Sequence, residues 1–563
     1  MKKKYRHYEV QKFSSIREML AIAETSVPDK PAFKFKTGEK NSSGEPIVRS
    51  VTYKEFVATT RAIGTALFDR GYHNRTHVAC IGENSYNWVC TYVSTLAGDN
   101  IFVPIDKELP VDEMLNVLER SKSTVVFCTA KYEKLINENK NKLPDVKLII
   151  RLDTPAVDEL IAEGEKALKN GSRGYLDSHS DEYEMKMLVY TSGTTGLSKG
   201  VMLSEHNIVS CVYYGLQVST IYEVGLSILP YHHTYEAVCS LLVSLHHHST
   251  ICINESVRAV LQNFQLYKPN HVYLVPALAE MFYKRIWRTV EEKGKDKQLK
   301  LLISVSNGLR KIGIDLRRKL FASIHTTFGG NLVKIVCGGA PIRPEVNKFF
   351  DDIGISLING YGITECSPLV AANREECNTY NSVGKTLPCI EIRIDNPDEF
   401  GNGEICVKGD TVMLGYYNDP ERTAEVLVDG WFKTGDFGHM SPDGYLSITG
   451  RKKNIIVLAN GKNIYPEEIE NYIMDIPYVN EVVVYATKDE NGNQSGLCAE
   501  AFLDDEKLKE LGITEPEECF RSDVFQTLSM LPSYKQVATV RIRDCEFEKN
   551  SSKKIKRSLV GQN

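Results

Sequence analysis

Short apolar runs alternate with longer stretches of helical period along most of the chain. Runs such as VACIG, STVVFC and KMLVY are only five or six residues long, which is typical of buried strands rather than core helices. Buried parallel strands need crossover connections, and helices supply them, so the alternation predicts an α/β architecture with largely parallel sheets. Ligands bind at the carboxyl ends of strands in such sheets. The predicted strands include residues 78–82, 123–128, 147–152, 186–190 and 334–339.

Two segments depart from this alternation. Residues 281–320 are rich in Lys, Arg and Glu, and apolar residues recur between the charges at helical spacing. This pattern predicts solvated helix faces, with a binding patch as the alternative. Residues 430–465 place several Gly turns between short apolar runs, which predicts a hinge and the start of a smaller C-terminal domain.

Length, composition and charge indicate a globular protein of several domains. At 563 residues the chain is too long for one hydrophobic core, which predicts roughly two to four domains or subdomains. Hydrophobic and charged contents of 42% and 25% match globular averages and argue against extensive disorder. The net charge of -5, with both signs spread along the chain, provides no overall attraction for nucleic acid.

Cysteine spacing and the distribution of apolar residues predict the cellular compartment of the protein. The 14 cysteines form no C-x-x-C pair and no regular framework, so we expect free thiols in a reducing environment rather than disulfides or a zinc site. The basic start MKKKYRHYEVQKF is followed by no apolar region, and no stretch approaches the roughly 18 apolar residues that span a bilayer. The prediction is a cytoplasmic protein whose membrane contact is at most peripheral.

A loop rich in glycine and hydroxyl residues follows the predicted strand at 186–190. Backbone N–H groups and hydroxyls in such a loop can converge on phosphate oxygens, and a lysine adds positive charge. The loop is not a Walker loop, because its lysine comes three positions after Gly196 and is followed by Gly200. A turn without a ligand is the alternative, and residues 201–216 are predicted to form a helix. The candidate polyphosphate-binding residues are Thr191, Ser192, Gly193, Thr194, Thr195, Gly196 and Lys199.

Residues 190–201 resemble the signature loop of the adenylate-forming, or AMP-binding, enzymes: acyl-CoA synthetases, peptide-synthetase adenylation domains and firefly-type luciferases. Other segments resemble further motifs of this superfamily, in its order, over nearly the whole chain. The resemblance implies a large N-terminal domain (1–450) of parallel α/β sheets with a β-barrel-like subdomain, which binds ATP and the acyl substrate. It also implies a small, mobile α+β C-terminal lid domain (451–563) with its hinge near Lys453. Asp99 replaces a small apolar residue of many relatives and is given no role.

The stretch LPYHHTYE at 229–236 resembles the family motif LPL-x-H-x-x-E. By this resemblance His233 is a catalytic and substrate-binding residue at the mouth of the acyl pocket, and Tyr235 belongs to the substrate site. A histidine packed in the core is the alternative. Relatives that activate amino acids hold the substrate ammonium with an aspartate in this region, whereas no acidic residue occurs from Ile228 to Tyr235. An amino-acid substrate is therefore not expected.

Two glycine segments, CGGAP at 337–341 and NGYGITE at 359–365, each follow an apolar run. Glycines at a strand end would let flat adenine approach the backbone, and Tyr361 can stack on the base. A structural Tyr-Gly turn is the alternative for the second segment. The nucleotide-binding candidates here are Gly339, Ala340, Asn359, Gly360, Tyr361, Gly362 and Thr364, and Gly338 is assigned to the acyl and CoA site.

The same resemblance assigns the metal and the α-phosphate. Thr364 would contact the α-phosphate as a catalytic residue. Glu365 would hold magnesium, a hard cation that prefers carboxylate and phosphate oxygens. Thr191 is the expected second protein contact to the metal.

Further motifs occur in the last third of the chain. WFKTGD at 431–436 resembles a family motif whose aspartate, here Asp436, accepts hydrogen bonds from both ribose hydroxyls. GRKKN at 450–454 resembles the next motif, in which Arg451 binds ribose or phosphate and Lys453 occupies the hinge position. A basic β-turn is the alternative for this second segment.

The chain's last motif, EFEKNSSKKIKR at 546–557, resembles the family's P-K-T-x-x-G-K-I-x-R. Lys554 falls on the adenylation lysine, which bridges the substrate carboxylate and the α-phosphate, while Lys553 replaces the usual glycine. Without the preceding motifs, a basic tail would be the better interpretation. Gly461 is assigned to close passage of the pantetheine arm of coenzyme A.

The implied reaction is ATP-dependent activation of a carboxylic acid as its acyl-AMP, followed by transfer to the thiol of coenzyme A. LPYHHTYE, ITECSP, KNIYPEEIE and KKIKRSLV look most like bacterial long-chain fatty acid–CoA ligases, so a medium- to long-chain fatty acid is expected. An acyl carrier protein as acceptor, a luciferase-like oxidoreductase and a nucleotide- or lipid-binding pseudo-enzyme remain alternatives. No nucleic-acid partner is expected, and the sequence leaves monomer and homodimer open.

Overall fold

The computed structural model of the protein describes residues 6–191, 198–457, 463–488, 494–549 and 555–561. Strands and helices alternate through the first third of the chain, as the apolar runs predict. They are α1 (Ile16–Ser26), β1 (Pro31–Lys40), β2 (Pro46–Thr52), α2 (Tyr53–Asp69), β3 (His77–Ile81), α3 (Tyr86–Ala97), β4 (Ile101–Ile105), α4 (Val111–Arg120), β5 (Val125–Cys128), α5 (Ala130–Glu138), β6 (Leu148–Arg151), α6 (Pro155–Lys169), α7 (Gly174–Asp177) and β7 (Met185–Thr191).

The middle third continues the alternation and includes a π-helix at Tyr235–Leu242. The charged segment 281–320 is helical, as predicted. The elements are β8 (Lys199–Ser204), α8 (Glu205–Val218), β9 (Val224–Ser227), α9 (Val243–His246), β10 (Thr250–Ile253), α10 (Val260–Tyr267), β11 (His271–Leu274), α11 (Pro276–Glu292), α12 (Asp296–Lys311), α13 (Arg317–Leu320), α14 (Ala322–Thr327), β12 (Lys334–Cys337), α15 (Pro344–Asp352), β13 (Ser356–Gly362), β14 (Leu369–Ala372) and β15 (Lys385–Thr386).

The last part of the chain has shorter strands separated by turns. Its elements are β16 (Ile390–Asp395), β17 (Gly403–Gly409), β18 (Gly415–Tyr416), α16 (Pro420–Val426), β19 (Leu427–Val428), β20 (Trp431–Met440), β21 (Leu446–Arg451), β22 (Ile456–Val457), β23 (Asn463–Ile464), α17 (Pro466–Ile473), β24 (Val479–Lys488), β25 (Gln494–Leu503), α18 (Asp505–Glu510), α19 (Pro516–Leu528) and β26 (Thr539–Arg543).

The helix predicted to begin at Val201 begins at Glu205 instead, so the prediction is wrong for the first four residues. Val201 and Leu203 are fully buried while Met202 between them is not, which is the period of a strand, and β8 pairs antiparallel with β7. The helix then begins at a capping box, in which the Ser204 and Asn207 side chains each accept a hydrogen bond from the other residue's backbone N–H.

Packing divides the chain into two compact units. The first contains Met1–Glu391 and Val407–Phe432, and the second contains Ile392–Cys406 and Lys433–Asn563. The domain boundary at residue 450 and the hinge at Lys453 stay predictions, because compactness alone does not identify the residue about which a domain turns.

The first unit contains two large sheets, as counted over the described part of the chain. One has seven strands in the order β18-β8-β7-β4-β3-β5-β6, and the other has nine in the order β15-β14-β13-β12-β11-β9-β10-β1-β2. The central pairs β3–β4, β3–β5, β11–β12 and β12–β13 are parallel, and antiparallel pairs lie toward the edges. The prediction of largely parallel sheets is therefore confirmed.

The second unit is smaller and of mixed α+β type. β25 pairs with β24 antiparallel and with β26 parallel, and α17 and α19 pack on this sheet through a shared apolar core. β20 and β21 pair antiparallel within the same unit. A large α/β unit followed by a small α+β unit matches the fold class predicted from the sequence.

Helices α10, α11 and α14 cover one face of the nine-stranded sheet. The rings of Phe264, Phe282 and Phe328 meet there edge to face, with centroids 5.4 to 6.0 Å apart. Leu299 of α12 belongs to the same core, so α12 packs outside α11 with one face inward. Within the described residues, no helix is both long and apolar enough to cross a membrane.

Candidate functional site

Lys199, Glu365 and Tyr416 form a compact polar cluster in the first unit. The Lys199 Nζ donates to Glu365 Oε1 at 2.7 Å and to the Tyr416 hydroxyl at 2.6 Å, and that hydroxyl donates to the same carboxylate oxygen at 3.0 Å. Burial, and then the Glu365 carboxylate, raise the pKa of Tyr416, so its hydroxyl remains a donor at neutral pH. The cluster provides one cation and one carboxylate at a largely buried position.

Sheet register brings these residues together. Lys199 begins β8 and lies opposite Thr191, the last residue of β7. β18 pairs antiparallel with β8 on its other side, which places Tyr416 opposite Val201. Glu365 lies in a 3-10 turn after β13, and its carbonyl accepts a hydrogen bond from the Met413 N–H at 2.8 Å, just before β18. Two sequence-predicted residues, Lys199 and Glu365, thus meet across 166 positions of chain.

Thr191, which lies opposite Lys199, has a side-chain hydroxyl without a hydrogen-bond partner among the described residues. Its Oγ1 is buried and finds no hydrogen-bond partner among the residues that the structure describes. A buried hydroxyl without a partner costs free energy, which a bound ligand or metal would recover. Hydroxyl and carboxylate oxygens are ligands that magnesium prefers, so Thr191 and Glu365 suit the predicted metal. The predicted phosphate-binding residues Ser192, Gly193, Thr194, Thr195 and Gly196 lie outside the described residues.

The predicted adenine slot brings together the ends of β12 and β13. A Cβ added at Gly338 would lie 3.3 Å from the Tyr235 ring and 3.5 Å from the Gly360 carbonyl oxygen. The Tyr235 hydroxyl donates to the Val336 carbonyl at 3.0 Å, which holds that ring against the end of β12. Gly338, Tyr235 and Gly360 are therefore neighbours, and Gly339 follows with a left-handed φ of +87°.

Residues 359–362 are not a loop after a strand, as predicted, but the last part of β13 itself. Gly360 and Tyr361 pair antiparallel with Ala372 and Ala371 of β14. β14 pairs with one edge of this segment, and the pairing of β12 with the other edge ends at Asn359. The Asn359 Oδ1 is buried with no partner in the described part of the chain, which leaves one acceptor for a donor such as an exocyclic amine.

Gly362 and the turn after it fix the position of Thr364 and Glu365. A Cβ at Gly362 would lie 2.5 Å from the carbonyl oxygen of Pro368, a backbone atom that cannot move away cheaply. Ser367 closes the turn in the left-handed region, and its hydroxyl donates to the Thr411 carbonyl at 2.8 Å. The turn is held at both ends, so Glu365 is presented from a rigid backbone.

His233 lies beside a second histidine that the sequence analysis did not select. The Nε2 atoms of His232 and His233 are 3.1 Å apart, and His232 Nε2 is 3.4 Å from Asp106 Oδ1. Burial lowers the pKa of His232 well below its ordinary range, and His233 and Lys107 act in the same direction. Although Asp106 is close, His232 is therefore neutral near pH 7, and their contact is not an ion pair. The catalytic role of His233 stays a prediction.

Glu236, the last residue of the LPYHHTYE motif, is completely buried in the π-helix. Its Oε1 accepts a hydrogen bond from the Ser227 hydroxyl at 2.5 Å. Burial raises the pKa of Glu236 to about 8, against the smaller opposing effects of Ser227, Ser240 and the Leu229 backbone. Between the ordinary pKa of a glutamate and about pH 8, Glu236 therefore keeps its proton in the folded protein and loses it in the unfolded chain.

Glu236→Gln should make the protein relatively more stable at high pH. The contribution of Glu236 to the stability of the natural protein falls as the pH rises from about 5 toward 8, because over this range only the folded state still binds this proton. The amide does not titrate, so the free energy of unfolding of the variant should gain about 3 kcal/mol on the natural protein between pH 5 and pH 8. Urea unfolding at both pH values measures this. The exposed Glu165→Gln should show no pH-dependent gain, and an equal difference at both pH values for Glu236→Gln would contradict the prediction.

In the second unit, the structure brings Asp436 and Arg451 together. The register of β20 and β21 places the two residues directly opposite each other, and Arg451 Nε lies 3.0 Å from Asp436 Oδ1. The Asp436 side chain is almost fully buried, whereas Arg451 is exposed. A buried carboxylate with one oxygen facing an exposed arginine can accept hydrogen bonds from a diol.

Of the remaining predicted residues, Lys453 is described and lies at a turn of the second unit. Lys453 lies exposed in the 3-10 turn Lys452–Asn454, where Lys452 Nζ contacts Glu404 Oε2 at 2.5 Å. Gly461, Lys553 and Lys554 lie outside the described residues. The chain on either side of 550–554 is anchored: Lys549 pairs with Ile555 in a β-bridge, and Arg557 forms an ion pair with buried Glu470.

Three residues of these clusters were missed by the sequence analysis: His232, Tyr416 and Asp106. His232 is adjacent to His233 in the same motif. Tyr416 stands in a Gly-Tyr-Tyr run, and no local pattern distinguishes it from a core tyrosine. Asp106 could have been found, because it directly follows the apolar strand β4 and polar residues at such strand ends form binding sites.

The chain is similar in sequence to a known enzyme family and to individual proteins. A family model described as AMP-binding enzyme matches residues 21–417, more than half of the chain. The long-chain-fatty-acid–CoA ligase FadD15 of Mycobacterium bovis is 28% identical over 455 residues, which are 77% of this chain and 75% of that protein. Long-chain-fatty-acid–CoA ligase 5 of Rattus norvegicus is 29% identical over 456 residues, 75% of this chain and 67% of its own.

The fold is also similar to solved structures. The o-succinylbenzoate CoA synthetase (MenE) of Bacillus subtilis, in complex with the acyl-adenylate intermediate OSB-AMP, superposes with a TM-score of 0.73 at 21% identity. The match covers 97% of this chain and 98% of that one. At this identity the likeness concerns the fold.

Proposed function

Since the chain belongs to the AMP-binding enzyme family, we propose that it is an ATP-dependent acid–thiol ligase that converts a medium- to long-chain fatty acid into its acyl-CoA. The observation that carries this proposal is the meeting of Lys199, Glu365 and Tyr416 beside the unsatisfied hydroxyl of Thr191. The names of the relatives, long-chain-fatty-acid–CoA ligases, support the substrate class.

In the first half-reaction a carboxylate oxygen of the fatty acid attacks the α-phosphorus of ATP. The bond from that phosphorus to the bridging oxygen breaks, and pyrophosphate leaves with the electron pair, giving the acyl-adenylate. Lys199 offsets the negative charge of the phosphates, the loop residues 192–196 donate hydrogen bonds to them, and Thr364 and Lys554 stabilise charge at the α-phosphate. No residue forms a covalent bond to the substrate.

Thr191 and Glu365 are proposed to hold magnesium. Bound there, the ion supplies positive charge that offsets the negative charge of the phosphates. In the structure the Glu365 carboxylate faces the Lys199 ammonium, so the ion and Lys199 would share this negative charge.

The other residues are proposed to position the nucleotide and the acyl chain. Tyr361 and the glycines beside it accommodate adenine, and Asn359 accepts a hydrogen bond from its amine. Asp436 and Arg451 are proposed to hold the ribose of the nucleotide. His233 and Tyr235 contribute to the acyl site.

In the second half-reaction the thiolate of coenzyme A attacks the acyl carbon. The bond from that carbon to the phosphate oxygen breaks, and AMP leaves, giving the thioester. Lys453 is proposed as the hinge about which the C-terminal part turns between the two half-reactions, and Gly461 as the position that lets the pantetheine arm pass.

The proposal is tested by thioester formation with ATP, magnesium and free coenzyme A. Palmitate, shorter fatty acids and an aromatic acid are each offered to the purified protein. We expect palmitoyl-CoA with release of AMP and pyrophosphate. Acid-dependent pyrophosphate exchange without acyl-CoA would move the acceptor to an acyl carrier protein, and ATP-dependent light emission would indicate an oxidoreductase. Absence of exchange with every acid would overturn the proposed function.

A further inference from the structure

The outer face of α12 carries a stripe of exposed aliphatic side chains. Leu301 and Val305 are 64% and 49% exposed and lie one turn apart on the same side of α12. Ile312, the residue directly after the helix, is 71% exposed and continues the stripe. Leu299 and Ser306 are buried on the opposite side. The inward face of α12 thus has its own partners, and the stripe is a second apolar surface directed to solvent.

Lysines border this stripe. Lys297, Lys300 and Lys311 are all exposed, and the helical rotation of 100° per residue places them along one side of it. The surrounding segment 281–320 contains twelve lysines and arginines and only four acidic residues, in a chain whose net charge is -5. Positive charge is therefore concentrated where the exposed aliphatic residues lie.

Two arginines of the segment serve the fold rather than this surface. Arg310 and Arg317 contact the Asp351 carboxylate of α15 at 3.0 and 3.1 Å. They hold the ends of α12 and α13 against the body of the unit. The lysines and the aliphatic stripe are consequently presented on a helix of fixed orientation.

We propose that α12, with its continuation to Ile314, docks on the surface of an anionic phospholipid bilayer. Leu301, Val305 and Ile312 enter the boundary between headgroups and acyl chains, and the lysines contact lipid phosphates. An interfacial helix has this composition, with aliphatic residues on one face and lysines beside them. The attraction is local, because charges further than about 8 to 10 Å are screened at physiological salt, so the net negative charge of the chain does not oppose it.

The composition of the surface favours lipid over the other partners that a basic patch could bind. Single-stranded nucleic acid needs aromatic rings or arginine planes for base stacking, whereas the stripe is aliphatic. Protein interfaces are depleted in lysine, and lysine is the main charged residue bordering the stripe. The inference uses no step of the proposed reaction, since docking needs neither ATP nor coenzyme A.

Vesicle co-sedimentation of the full chain tests the proposal. Vesicles of phosphatidylcholine with phosphatidylglycerol are compared with vesicles of phosphatidylcholine alone, without substrates and at two salt concentrations. We expect binding to the anionic vesicles, weakened by salt. Lys297→Gln with Lys300→Gln should weaken partition about thirtyfold, and Leu301→Gln with Val305→Gln at least tenfold.

Matched variants elsewhere on the surface serve as controls. Lys140→Gln with Lys142→Gln removes the same charge from an exposed turn, and Met530→Gln removes an aliphatic side chain that is 78% exposed. Both should bind vesicles like the natural protein. Because all these side chains are exposed, circular dichroism should be unchanged in each variant.

Three results would overturn the proposal. The first is equal binding to neutral and anionic vesicles, or binding to neither. The second is a Leu301→Gln, Val305→Gln variant that binds like the natural protein. The third is a dimer that this variant disrupts while vesicle binding is absent, which would assign the surface to a second copy of the chain.

Discussion

Glu365→Gln is expected to lower acid-dependent ATP–pyrophosphate exchange about a thousandfold, the upper end of the effect of removing one electrostatic contact from an active site. Glutamine can still accept hydrogen bonds from Lys199 and Tyr416, so the cluster keeps its shape. It loses the negative charge that is proposed to hold magnesium, and an amide oxygen is a weaker ligand for a hard cation. Isotope exchange with saturating palmitate and ATP measures the loss.

A second ion pair provides the control for this variant. Lys36 Nζ and Glu255 Oε1 are also 2.7 Å apart in the first unit, away from the motifs. Glu255→Gln should leave exchange within about twofold, since an exposed ion pair contributes little to stability. Exchange near the natural rate in Glu365→Gln, with unchanged thermal unfolding, would show that the carboxylate is not part of the phosphate and metal site.

The fold could be predicted from the sequence where local pattern decides it. Runs such as 123–128 are apolar at successive positions because parallel strands are covered on both faces, and these strands were found. β8 was missed because residues 201–204 are too few for their period to separate strand from helix, and pairing with β7 decided their structure.

In the candidate site, too, some residues could be identified from local sequence and others only from strand pairing. Lys199 and Glu365 were identified through motifs, and the structure explains their proximity by the neighbouring strands β7, β8 and β18. Tyr416 reaches the pair only through the register of β18, which no local sequence pattern contains. Asp436 and Arg451 were each identified from their own motif, and the β20–β21 register then placed them in contact.

Lys554→Ala is expected to lower the exchange reaction by a factor on the order of a hundred to a thousand, because it removes the charge proposed to stabilise the α-phosphate in the transition state. The thioester-forming half-reaction, started from synthetic palmitoyl-AMP and coenzyme A, should be affected much less, since the C-terminal part that carries Lys554 is proposed to turn about Lys453 between the two half-reactions. The two half-reactions are measured separately by isotope exchange and by release of AMP.

The adjacent lysine makes the matched control, because Lys553 stands where the family motif has glycine. Lys553→Ala removes the same charge one position earlier and should keep exchange within a few fold. Both variants retain the anchors on either side, the Lys549–Ile555 bridge and the Arg557–Glu470 ion pair, so a general loss of the terminal fold is not expected. If Lys553→Ala lost exchange and Lys554→Ala did not, the alignment of the terminal motif would be wrong by one residue, and the adenylation lysine would be Lys553.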